Sequence, residues 1–253
     1  VGRAELRVVR RPVVAVLTSG DELVPVEGFA EVEAGRKIVS SSSYALAAAL
    51  AGCGAEPRPL GIAADTPESL REHVERARGC DALITTAGLS VGEHDHVRSV
   101  LRSFGLEESF WRVKMRPGSP FAFGRLAGLG GIPWFGLPGN PVSSLVTFEL
   151  FVRPALLRMA GHRRVFPPVE RAVMRDDYSS KPGLTQFARV RLHREADRLE
   201  ASLTGPQSSG ALSSVAAADG LLVVPEDAAG AQAGGEYSVI VLGGAPLREE
   251  AGW

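Results

Sequence analysis

Apolar residues in this chain fall into short unbroken runs that alternate with stretches of helical spacing. Residues 13–17 read Val-Val-Ala-Val-Leu after Pro12, as expected of a strand covered on both faces in a parallel sheet. Ser40 to Ser43 offer helix caps before the apolar run 44–51, and Gly52 and Gly54 stop it. Residues 60–62 predict a second strand. Thr66 followed by Pro67 reads as an N-cap with proline in the first turn. Leu70, Val74 and Ala77 then share one helix face. Residues 82–85 predict a third strand and run into a glycine-rich loop. A helix follows over about 95–104, with Val97, Val100 and Leu101 inward. Residues 111–115, 121–123 and 133–137 read as strands, and 142–159 as one helix. This alternation predicts a three-layer α/β fold with a mostly parallel sheet.

After Gly161 the pattern changes. Pro167 and Pro168 read as a linker. Short alternating segments follow at 170–174, 186–193, 199–203, 221–224 and 237–241, which predict a small all-β barrel or sandwich. The expected division is 1–12 as the remnant of preceding domains, 13–165 as the α/β domain and 166–253 as the β domain.

Composition narrows the function classes. The 28 basic and 29 acidic residues leave a net charge of −1, so no global field draws the chain to nucleic acid or an anionic membrane. No apolar run reaches the roughly 18–20 residues that span a bilayer. Two cysteines, Cys53 and Cys80, form no Cys-x-x-Cys pair. They read as buried small hydrophobes of a cytoplasmic protein.

Four loops carry candidate chemistry. Thr86-Ala87-Gly88-Leu89-Ser90-Val91-Gly92-Glu93-His94-Asp95 joins a buried strand to a helix. Ligands of open α/β sheets bind at that edge, where glycines admit a ligand closely and a helix N-terminus attracts an anion. An ordinary βα turn would need the same glycines. Thr18-Ser19-Gly20-Asp21-Glu22 should open on the same edge, its acids suiting Mg²⁺ held against phosphate, or a solvated turn. Gly136-Leu137-Pro138-Gly139-Asn140-Pro141-Val142-Ser143 makes a rigid turn before a helix. Arg112, Lys114 and Arg116 alternate, so on one strand they would share a face and call for an anion, unless that face is a solvated edge.

Taken in chain order, Ser19-Gly20-Asp21-Glu22-Leu23, the Thr86–Asp95 loop, Arg116-Pro117-Gly118-Ser119-Pro120 and the Gly136–Ser143 turn resemble the molybdopterin molybdotransferases of the MoeA type, which are similar to the E domain of gephyrin. The resemblance covers the third and fourth of the family's four domains: a molybdopterin-binding α/β domain and a small β-barrel. It implies that adenylylated molybdopterin and molybdate are converted to molybdenum cofactor and AMP, with Mg²⁺ required. It also implies a homodimer in which the partner subunit completes the cleft, so that this stretch alone would fold but be nearly inactive.

By position, Glu22, Asp65 and Asp95 match the family's functional acids, with Glu22 and Asp95 the expected Mg²⁺ ligands. Thr86, Gly88, Ser90, Gly92, Pro138, Gly139, Asn140 and Ser143 are the expected substrate loops. Arg112 and Arg116 stand where the family carries lysines, Arg189 matches a basic position of the last domain, and Ser209 matches a serine facing the cleft. Two other readings remain. One is an adenylyl-transferring enzyme of the same α/β fold, against which the β domain and the Pro-Gly-Asn-Pro turn argue. The other is a non-catalytic binding or scaffold module.

Overall fold

A computed structural model of the chain describes residues 2–86, 96–195 and 198–243. Its first unit is built from β1 (Val13–Ser19), α1 (Ser41–Gly52), β2 (Glu56–Ala63), α2 (Pro67–Glu75), β3 (Ala82–Thr86), α3 (His96–Ser103), β4 (Leu106–Trp111), β5 (Met115–Arg116), β6 (Ala122–Leu126), β7 (Ile132–Leu137), α4 (Pro141–Thr147) and α5 (Arg153–Met159). One six-stranded sheet runs in the order β2-β1-β3-β7-β6-β4. The pairings among its first four strands are parallel, and the two pairings that add β6 and β4 are antiparallel. Every residue of β3 is buried, the sign of a strand with helices on both faces.

Alternation along the strands supplies those two faces. Ala15, Leu17 and Leu83 meet Leu70 and Val74 of α2 and Val97, Val100 and Leu101 of α3. Val14, Val16 and Ile84 meet Leu46 and Leu50 of α1 and Leu156 and Leu157 of α5 on the other side. Thr66 caps α2 as its sequence indicates, its Oγ1 accepting from the Ser69 N–H at 3.3 Å.

The second unit comprises β8 (Val169–Met174), β9 (Thr185–Glu195), β10 (Arg198–Leu203), β11 (Gly220–Val224) and β12 (Glu236–Val241). They pair in the order β10-β8-β12-β11-β9, and β9 pairs back onto β10, which closes a five-stranded barrel. The α/β unit followed by an all-β barrel is the predicted architecture. No helix among the described residues is long and apolar enough to cross a membrane.

Two local expectations are corrected. The helix expected over 142–159 is interrupted by a π-helical turn, Phe148–Val152, between α4 and α5. The strand expected over 111–115 does not exist as such: β4 ends at Trp111, and β5 begins at Met115 in the other sheet. There it pairs in parallel with β9. Arg112 between them has φ +72°, which no extended strand allows. The three cations therefore do not share one strand face.

Candidate functional site

The parallel order brings the carboxyl ends of β1, β3 and β7 together, and an open cavity of about 650 Å³ lies there. Thr18 and Thr86 are register partners on β1 and β3. Strand alternation sends Thr85 to the opposite face, where its Oγ1 accepts from the buried Trp134 indole at 3.0 Å. Thr18 and Thr86 line the cavity instead, only 2% and 1% exposed. Neither hydroxyl finds a partner among the described residues. Leaving buried hydroxyls unmatched costs roughly 1–3 kcal/mol each. A polar ligand or water at the cavity floor would recover that.

The walls come from two helix starts and one hairpin. Ser40, Ser41 and Ser42 open α1 on one side, and Gly139, Asn140 and Pro141 open α4 on another. The sequence read these serines only as caps. Ser40 does stand at the N-cap, but its side chain makes no capping bond; its Oγ donates to Ser43 Oγ at 3.1 Å. Ser42 Oγ donates to the Gly139 carbonyl at 3.3 Å, tying the two helix starts together. Ser119 and Pro120 complete the hairpin wall. Thr18 and Ser119 lie in loops the sequence singled out, but nothing local marks their side chains, or Ser40–42, as lining residues, because the sheet order brings them together.

Two opposite charges mark the rim. Glu22 is the one carboxylate and Arg112 the one cation in the described lining. Gly20, with φ +150°, turns the chain so that Glu22 folds back over it. Asp21 is engaged elsewhere: its Oδ1 accepts from the Asp65 N–H at 3.1 Å, which fastens the β2 exit to the β1 exit.

Of the predicted site residues, Glu22, Thr86, Arg112, Pro138, Gly139 and Asn140 meet in this cavity. Gly88, Ser90, Gly92 and Asp95 lie outside the described residues. Asp65 is exposed at the same edge but not in the lining. Ser143 is buried in the first turn of α4, its carbonyl accepting from Thr147 Oγ1 at 2.9 Å. Lys114 and Arg116 are exposed beside the barrel, and Lys114 Nζ is 3.9 Å from a Glu226 carboxylate oxygen.

Arg189 and Ser209 belong to the joint between the units. Arg189 is 1% exposed and donates to Ser214 Oγ and to the Pro206 and Ser208 carbonyls. Burial pushes its guanidinium below the usual arginine range. These bonds fix the loop whose Ser209 carbonyl accepts from the Val142 N–H at 3.3 Å. Ser209 thus touches the start of α4, and Arg189 holds the loop that carries it; neither lines the cavity.

Among the described residues no cluster of three or more His, Cys, Asp or Glu could hold a metal ion. Glu22 alone in the described lining is a donor set suited only to a cation that also takes oxygens from a ligand.

Residues 15–158 match the family model described as a probable molybdopterin binding domain, and residues 171–242 match the MoeA C-terminal region (domain IV). A molybdopterin molybdenumtransferase of Nostoc sp. is 35% identical over 224 residues, covering 87% of this chain and 51% of that protein. The enzyme of the same name from Bacillus subtilis is 32% identical over 252 residues, 99% of this chain and 56% of that one. A molybdopterin biosynthesis moeA protein from Pyrococcus horikoshii OT3 superposes with a TM-score of 0.72 at 25% identity, over 92% of this chain and 54% of that one. The chain spans about half the length of the curated relatives it matches.

Proposed function

This chain belongs to the family of the probable molybdopterin binding domain, joined to a MoeA-type C-terminal region, and from that premise we propose that it forms the ligand-binding half of a molybdenumtransferase. The reaction inserts molybdate into adenylylated molybdopterin and releases AMP. A homodimer of the gene-encoded protein is the working unit, and its partner subunit closes the cavity.

The observation that carries this reading is the pair of buried hydroxyls of Thr18 and Thr86, which find no partner among the described residues. They lie beneath two helix starts in a cavity with the cation Arg112 on its rim. Helix N-termini and hydroxyls suit the phosphate oxygens of such a ligand. Arg112 neutralises charge that builds as AMP departs, and prepositioned donors of this kind supply much of catalysis. Glu22 would hold Mg²⁺ together with diphosphate oxygens, where the ion offsets their charge.

Calorimetric titration with molybdopterin tests the site. Thr18→Val combined with Thr86→Val should weaken binding by about tenfold or more, equivalent to roughly 1.4 kcal/mol, with little change in folding. Unchanged affinity would remove the hydroxyl pair from the ligand site. The gene-encoded protein given adenylylated molybdopterin and molybdate should release AMP. Binding without AMP release, at any Mg²⁺ or molybdate concentration, would refute the transferase reading.

A further inference from the structure

Arg112 occupies its place on the cavity rim in an unusual way. It is the one residue other than glycine with positive φ among those described, and such outliers persist only where surrounding contacts hold them. Its N–H donates to the Phe121 carbonyl at 3.0 Å, and the next N–H, of Val113, donates to the Ser119 carbonyl at 2.9 Å. The guanidinium makes no hydrogen bond or ion pair among the described residues. Its Cζ instead lies 4.7 Å from the centroid of the Trp111 ring.

Trp111 is itself braced. Arg98 of α3 lies over the same ring, with its Cζ 4.6 Å from the centroid. Glu108 grips that arginine through Nε–Oε2 at 2.9 Å and Nη2–Oε1 at 2.6 Å, with the side chains only 13% and 27% exposed. The ion pair offsets the repulsion expected between two guanidinium groups on one indole. Trp111 packs against the core beneath α2 and α3. Its Nε1 is buried and finds no hydrogen-bond partner among the described residues. What the described residues use of the indole is its face, which carries both guanidinium groups.

We propose that Trp111 is a positioning residue for the reaction proposed above: its ring, braced by the Arg98–Glu108 pair, fixes the Arg112 guanidinium over the cavity so that it meets the anionic ligand already ordered. An exposed arginine otherwise gives up its rotamer freedom on binding. A planar guanidinium stacks on an aromatic face where an ammonium is held less well. The inference rests on the cavity being an anion site.

A double-mutant cycle with inorganic pyrophosphate as the probe tests it, read by calorimetry at low salt. Trp111→Leu should weaken binding by about five- to tenfold. In an Arg112→Gln background the same substitution should cost almost nothing, because the group it positions is gone. Trp111→Phe, which keeps a ring, should recover most of the loss. Denaturation midpoints separate any packing defect, which would appear equally in both backgrounds. Losses that simply add, or Trp111→Phe as weak as Trp111→Leu, would overturn the positioning role while leaving the anion site intact. A parent chain that binds no pyrophosphate would overturn the anion site and this inference with it.

Discussion

Gly20 shows how one residue can shape the site without touching a ligand. A Cβ there would stand 2.6 Å from Glu22 Oε2, and φ +150° disfavours any side chain. Because the obstruction is the tip of a flexible side chain, Gly20→Ala should fold, at a cost of about 1–3 kcal/mol in strain. It should displace Glu22 and remove the Mg²⁺-dependent part of molybdopterin binding, measured by titration with and without the ion. The cysteines make the opposite point. Burial pushes both thiols above their usual range. The folded chain should therefore resist iodoacetamide at about pH 7.5, while the denatured chain takes two adducts by mass. The composition alone suggested that inertness, since two cysteines without a paired motif read as buried hydrophobes. Glu22 was likewise legible as a charged loop residue and Arg112 as part of a basic run; the resemblance implied that both belong to the site, but local spacing did not bring them together.

At the scale of elements, strands 13–19 and 82–86 were visible because their apolar runs are long and bounded by polar loops. The basic stretch was misread for a definable reason. Alternation implies a shared face only while the backbone stays extended, and Arg112 leaves that region. Neither the break nor the choice of a barrel strand as partner for Met115 and Arg116 is written in local spacing. Asp81 ties two elements at the opposite end of the sheet. It receives the Val13 N–H at 2.8 Å and pairs with Arg10. The Arg10 guanidinium holds its carboxyl below the usual carboxylate range. A depressed folded value stabilises the protein above the unfolded value and is lost as pH falls through the folded one. Asp81→Asn should lower the unfolding midpoint at neutral pH. The gap from the parent should close as pH drops below the ordinary carboxylate range. A constant gap across that window would show that the charge is not what matters.

The whole molecule is joined by a core that belongs to neither unit alone. Met115, Val142, Val146 and Leu150 from the α/β unit pack against Phe187, Leu221 and Ile240 of the barrel. Phe187 is 5% exposed, so Phe187→Ala should cost about 3–5 kcal/mol. If the joint couples the units, denaturant unfolding should remain a single transition in the parent and separate into two in the variant, as followed by fluorescence and circular dichroism. The same joint places Arg189 and Ser209 behind α4, and so connects the barrel to the cavity wall. By itself the sequence determined the two architectures, the glycine, proline and charged loops, and the edge of the sheet on which those loops open. These follow from local periodicity and turn chemistry, which each segment carries alone. The tertiary structure decided which hydroxyls face the cavity, that Arg112 lies on Trp111 apart from Lys114 and Arg116, and that Arg189 is buried in a joint. Those facts depend on strand order, register and packing between segments far apart in the chain, and spacing along the chain does not encode them.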